Sequence, residues 1–154
     1  MRAYFFGNFY LSSIQQGIQA AHVVSEMSVK YSPGLPPACD YEEWAHTHKT
    51  MILLNGGMAA NLRELVACFD TKDNSYCWAF FCEEEAALEG SITSVGIILP
   101  DTIYNTAAEW RAGGAHPSNL LDIIDDGDTI GMVPRFSEFQ VELMTMMNNC
   151  RLAS

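Results

Sequence analysis

KTMILLNGGMAANLRELVACF, residues 49–69, is the stretch that decides the fold. Lys49 to Leu54 is a short, almost continuous apolar run ending in Asn55-Gly56-Gly57, the pattern of a strand buried on both faces. The glycines interrupt it. Met58 to Phe69 then places Leu62, Leu65, Val66 and Phe69 at the spacing of one helix face, until Asp70-Thr71-Lys72-Asp73-Asn74-Ser75 stops the helix. Residues 76–82, YCWAFFC, read as the next strand. Strand, helix, strand is the repeating unit of an α/β fold.

Working upstream, residues 4–11 (YFFGNFYL) are aromatic-rich and broken by Gly7 and Asn8, consistent with a first strand that carries a bend or bulge. Ser12 with Gln15, or Ser13 with Gln16, then fits a capping box. The helix it opens has an apolar stripe at Ile14, Ile18, Ala21, Val24, Met27 and Tyr31, expected to face the core. Gln15, Gln19, His22 and Glu26 form a polar stripe beside it. Residues 32–48 hold three prolines and a glycine and predict an irregular loop anchored by Trp44.

Downstream, residues 91–99 (SITSVGIIL) read as a fourth strand, linked to the third by a short acidic segment around Glu83-Glu84-Glu85. A short helix from about Asp101 to Arg111, a Gly- and Asp-rich stretch to Asp128 and an amphipathic helix from Ser137 to about Cys150 complete the chain. In the last helix Phe139, Leu143, Met146 and Met147 make an apolar stripe suited to core packing or to a subunit interface. The pattern predicts a mixed α/β sandwich of about four strands with helices on both faces.

With 154 residues the chain has the length of one domain. Its 49% apolar and 18% charged residues exclude a disordered chain. A net charge of -11 excludes a general grip on a long nucleic acid, which depends on neutralising phosphates. No apolar run is long enough to span a bilayer, and the opening MRAYFFGNFYL lacks a basic leader, so a soluble cytoplasmic protein with no membrane partner is expected. Cys39, Cys68, Cys77, Cys82 and Cys150 are odd in number and fit no metal or disulfide motif, which predicts reduced, mostly buried thiols.

Three constellations bear on chemistry. Gln15, Gln19 and His22 near a helix start, with Glu83 to Glu85 and Thr93, lie at strand and helix ends where α/β folds place ligands. Their structural alternative is a hydrogen-bonded network with loop backbone. His46-Thr47-His48, if extended, would set two imidazoles on one side of a strand, but no third ligand accompanies them, and no metal is expected. His48-Lys49-Thr50 and His116-Pro117-Ser118 look like the triplets of two-histidine phosphoesterases, although His116 does not follow an apolar strand run as that pattern requires.

The order of motifs resembles the type-2 peptidyl-tRNA hydrolase family. Gln19-Ala20-Ala21-His22 is similar to that family's Q-x-x-H on the first helix, and Trp44 followed by HKTMILL to its second-strand region. Gly90-Ser91-Ile92-Thr93-Ser94-Val95-Gly96-Ile97, with Pro100 close behind, is similar to its G-S-x-T-x-x-G-I strand. The resemblance covers residues 4 to about 100. It implies a single-domain, three-layer sandwich over residues 1–154, with a core at 1–100 and a helical C-terminal extension at 101–154.

The departures bear on activity. Where the family carries a catalytic lysine four residues before the helix glutamine, this chain has Gln15, which cannot supply the charge that steadies an oxyanion or phosphate. The family's active-site aspartate matches Glu83 or Glu84 only loosely, while its threonine matches Thr93. The resemblance therefore implies a binding protein for a small nucleotide-like ligand, without cofactor, with Gln15, Gln19, His22, Trp44 and Thr93 as ligand-binding residues and Trp44 or Tyr10 to stack a base. Arg111, Arg135 or Lys49 are candidates for a positive contact.

The alternative is a hydrolase of a peptidyl- or aminoacyl-tRNA ester or a phosphodiester, with His22, Glu84 and Thr93 as its catalytic residues. A resemblance to uncharacterised viral relatives implies a phage protein that sequesters a nucleotide signal in the host cytoplasm as counter-defence. The C-terminal extension is expected to help make a homo-oligomer. An adaptor that uses the Pro-rich loop 32–37 and the Met-rich tail is a third reading.

Overall fold

The computed structural model describes residues 1–31, 40–125 and 130–152, and the chain divides into two compact units, residues 1–100 with the chain from Cys150 onward, and Asp101–Asn149. The architecture is mixed α/β. In the first unit β1 (Arg2–Gly7), β2 (Met51–Asn55), β3 (Trp78–Cys82) and β4 (Ile92–Leu99) form one sheet in the order β2-β1-β4-β3. β1 runs parallel to β2, with Tyr4 opposite Ile52, and antiparallel to β4, with Phe5 opposite Gly96. β3 is antiparallel to β4. Three strands therefore end at one edge of the sheet, at Gly7, Asn55 and Cys82, where β4 begins.

Helices cover both faces. α1 (Ser13–Lys30) lies on one, where Ala20, Val23 and Met27 join Ala3, Phe5, Ala79 and Ile98 in a buried cluster. α3 (Ala59–Phe69) lies on the other, where the Phe69 ring sits 6.2 Å from that of Phe6 and 6.1 Å from that of Trp78. Between them, all eight residues of β4 are buried. Gly96 allows α1 its close approach, since a Cβ there would stand 2.8 Å from Phe5 and 2.9 Å from Val23. Gly57, at φ +81°, makes the turn from β2 into α3, where few side-chain residues are at ease.

Four sequence expectations are corrected. β2 is not buried on both faces: it is an edge strand and only Leu54 is buried. α1 turns a different face inward, for Ile14 and Ile18 are 77% and 51% exposed while Gln16 and Gln19 are buried. Its first turns lie over the end of the sheet, where Leu11 O accepts from Gln16 and Thr93 and Glu83 engage Gln19. Residues 40–48 are helical, as α2 (Asp40–Glu43) and a π-helical turn (Trp44–His48), because the prolines end before them; residues 32–39, with the Pro-rich loop, lie outside the described residues. Cys77 is buried and disulfide-bonded, whereas Cys68, Cys82 and Cys150 form no disulfide. Pairing depends on proximity in space, which spacing without a motif does not reveal.

In the second unit, α5 (Asp101–Arg111) and α6 (Glu138–Asn149) pack together, tied by Asn148 Nδ2 donating to Ala107 O at 3.1 Å and by Arg111 donating to Asn148 Oδ1 and Met147 O. Phe139, Leu143, Met144 and Met147 of α6 are buried. A hairpin of β5 (Leu121–Asp125) and β6 (Ile130–Pro134) occupies much of the stretch expected to be loop. Among the described residues no helix is long and apolar enough to cross a membrane.

Candidate functional site

The site lies at the sheet edge where β1, β2 and β3 end, the place at which open α/β sheets present ligand crevices. Its centre is Gln19. The amide Nε2 donates to Glu83 Oε1 at 2.6 Å, which turns the amide oxygen towards Thr93, so the Thr93 hydroxyl donates to Gln19 Oε1 at 2.9 Å. Thr93 and Gln19 are buried and Glu83 is half-buried. Among the described residues Gln19 is the only side-chain partner of Glu83, bonded through Oε1.

Thr93 owes its direction to an irregularity. Even-numbered β4 residues face α1, as Gly96 against Val23 shows, so regular alternation would aim Thr93 at the opposite face. The register of β3 on β4 slips between Phe81 and Cys82, which pair with Ser94 and Ile92 and leave Thr93 as the extra residue of a bulge. Such a bulge re-aims a side chain. Asn8 secures the same corner, its N–H donating to Thr93 O at 2.9 Å and its Nδ2 to Ile92 O at 3.4 Å. Next to it, Gln16 Oε1 and Ser94 Oγ are buried without a partner among the described residues. Gly7 admits Gln16 there, since a Cβ on Gly7 would stand 3.0 Å from Gln16 Oε1.

The other expected site residues fall in different places. His22 is exposed and stacks on Phe81, with ring centroids 4.4 Å apart and planes 13° from parallel, flanking the network without a hydrogen bond to it. Glu84 is exposed and starts the short helix α4 (Glu85–Leu88); the carboxylate that meets Gln19 belongs to Glu83. Gln15 completes a capping box, its Oε1 accepting from Ser12 N and Ser12 Oγ, both at 2.9 Å. Trp44 is no stacking platform: it is buried in the core and its Nε1 donates to Thr50 O at 3.0 Å. Tyr10, 76% exposed, is available to stack, as is Phe9 beside it, their ring centroids 6.0 Å apart.

The positive contacts also differ. Arg111 is engaged by Asn148 and Met147, and Arg135 by Asp122 at 2.8 Å. Lys49 precedes β2 and so stands at the opposite end of the sheet. A cation that lines this end of the sheet is Arg63 of α3, in a hollow of about 220 Å3 with Val66, Phe80, Cys82, Gly90 and Ile92, and the backbone of Arg151 lies beside the end of β2, its carbonyl accepting from Asn55 N at 2.8 Å. Burial pushes the Cys82 thiol up, and Arg63 opposes that rise. Arg63 is the fifth residue of α3, after the Gly56-Gly57 turn, and only its place beside the apolar Leu62 and Leu65 of that helix was available in the sequence.

The histidine constellations lose their geometry. His46 and His48 lie in the π-helical turn, not an extended strand, and His48 Nε2 meets Glu43 Oε1 at 3.2 Å. His116 belongs to the second unit, where its Nδ1 lies 2.7 Å from Ser118 Oγ and its ring meets Trp110 edge-on. No cluster of metal-ligating side chains occurs among the described residues. A scan against protein-family models finds no match to this chain, and a search of the curated proteins finds no similar sequence.

Proposed function

We propose that the protein binds a small nucleoside- or nucleotide-like ligand at the end of its sheet, on a scaffold of the type-2 peptidyl-tRNA hydrolase kind. The observation that carries this reading is the Glu83–Gln19–Thr93 hydrogen-bond relay, which fixes a half-buried carboxylate through one of its oxygens at the end of the sheet. A carboxylate fixed in this way suits the hydroxyl groups of a ribose. The exposed rings of Phe9 and Tyr10 offer stacking surfaces for a base, and Arg63 lines a hollow with Cys82 and Ile92 at the same end of the sheet as a candidate positive contact.

Binding is favoured over hydrolysis by the state of the candidate base. The His22 ring is stacked on Phe81 and forms no hydrogen bond with Thr93 or Glu83, and both ends of the Gln19 amide are already committed. Nucleophile activation needs a base in hydrogen-bond reach of the group it deprotonates. Sequestration of a nucleotide signal by a phage-type protein in the host cytoplasm remains the biological setting proposed for such binding.

Incubation with a panel of nucleosides, mono-, di- and cyclic nucleotides and an aminoacyl-nucleotide ester, read by thermal shift and by chromatographic recovery, tests the reading. A compound that raises Tm and returns intact, with the shift lost in Glu83→Gln and kept in Trp44→Phe, is the expected result. Recovery of a cleaved product, lost in Thr93→Val or His22→Ala, would establish the hydrolase instead. No shift with any member of the panel would remove nucleotide binding.

A further inference from the structure

The β5–β6 hairpin is apolar and uncovered. Pairing sets Leu121 opposite Pro134, Ile123 opposite Met132 and Asp125 opposite Ile130, so alternation brings these six residues to one face of the ribbon. On that face Leu121 is 47%, Ile123 71%, Met132 70% and Ile130 76% exposed. An isolated two-stranded ribbon is marginal in water, and its stability comes from covering such a face. The α6 stripe, expected to pack in the core or to pair subunits, takes the first role, because Phe139, Leu143 and Met147 are buried.

We infer that this face of the hairpin is a self-association surface, occupied by the same face of a second copy of the chain. Two quantities favour a copy of itself. The four side chains leave on the order of 500 Å2 of apolar surface open, the size of the largest patch on an ordinary monomer and one that is often functional. Two such faces together bury on the order of 1,000 Å2, the size from which a specific interface holds.

Charge placement is the second argument. Among the described residues Asp125 is the only charged one on the face, at the end of the ribbon away from Leu121 and Pro134. A two-fold axis lying in the interface and running across the strands reverses strand direction between the copies. It brings the two Ile123 side chains together at the centre and carries each Asp125 over the opposite, uncharged end, so the two carboxylates stay apart at the rim. Among the described residues of the hairpin, the other charged side chains, Asp122 and Arg135, neutralise each other at 2.8 Å, and alternation places Asp122 on the reverse face. This inference does not rest on the ligand reading.

Sedimentation equilibrium of the full chain at tens of micromolar tests it. The expected mass is twice 17.1 kDa, falling to 17.1 kDa in Ile123→Asp and in Met132→Lys and unchanged in Ile124→Asp, whose side chain lies on the reverse face. In a Cys82→Ser background, Ile123→Cys should cross-link into a disulfide-bonded dimer on mild oxidation while Ile124→Cys does not. Circular dichroism matching the parent shows that the variants keep their fold. A monomeric parent would overturn the inference and point to another occupant of the ribbon. A dimer that survives both Ile123→Asp and Met132→Lys would overturn it as well, by placing the interface elsewhere.

Discussion

β4 and the β5–β6 ribbon are built from similar residues and meet opposite fates. ITSVGIIL is buried at every position, whereas LDIID and IGMVP are exposed at all ten. β4 lies between β1 and β3 with α1 above and α3 below, and the ribbon pairs only with itself. Apolar composition therefore states a demand for cover, and the layers around a strand decide whether it is met. The ribbon's unmet demand is what makes it an interaction surface.

The largest effect that would test this contrast comes from removing the same side-chain volume in the two places. Ile97→Ala, at a position with 0% exposure, should lower unfolding stability by about 2–5 kcal/mol in urea. Ile123→Ala should change it by less than about 0.5 kcal/mol in dilute protein. Equal losses would break the contrast, because the ribbon would then be covered in the isolated chain.

Gly96→Ala comes next. Its new methyl group would press on Phe5 and Val23, both buried, at a cost of about 1–3 kcal/mol, and a neutral outcome would mean that α1 rides more loosely than its 2.8 and 2.9 Å approaches imply. The corresponding glycine of the ribbon, Gly131, meets nothing within 4 Å of an added Cβ, so Gly131→Ala serves as the tolerant reference.

At the start of α1 the effect is smaller. Gln15→Lys would place at this position the lysine of the resembled family, but it removes the acceptor for Ser12 N and Ser12 Oγ and adds a positive charge at a helix N-terminus. A loss of about 1 kcal/mol is expected, seen as a lower Tm, while Gln15→Glu retains an acceptor and should stay close to the parent. An unchanged Tm in the lysine variant would show that the capping box contributes little.

The smallest effect separates the two sides of the sheet edge. Burial holds the Cys82 thiol above its ordinary range and Arg63 acts against that, so removing the cation should raise the pKa further. Alkylation of Cys82 at pH 8, followed by peptide mass spectrometry, should slow in Arg63→Ala because less thiolate is present. A faster reaction would mean that Arg63 shields the sulfur more than it stabilises the thiolate.

Much of the fold was legible because strand and helix periods are local. The run Met51–Asn55, the helix Ala59–Phe69, and the strands Trp78–Cys82 and Ile92–Leu99 all fall inside or within a residue or so of the segments their patterns mark. The site was legible in part. Gln19 and Thr93 meet as their motifs suggested, but nothing in Glu83-Glu84-Glu85 tells which carboxylate turns inward, since the answer depends on where β3 ends and α4 begins. Trp44 was expected to stack a base, and its burial among Val23, Met27 and Phe5 removes that role.

By itself the sequence determined the alternation of strands and helices, a capping box at the start of α1 that the structure assigns to Ser12 and Gln15, and an acidic composition unsuited to long polyanions. Tertiary structure alone decided that Ile14 and Ile18 face outward while Gln16 and Gln19 are buried, that a register slip in the sheet turns Thr93 towards Gln19, and that an apolar ribbon stands uncovered. The physical reason is one of range. Periodicity and capping act within a few residues of chain, whereas burial and hydrogen-bond partners are fixed by whatever layer lies opposite.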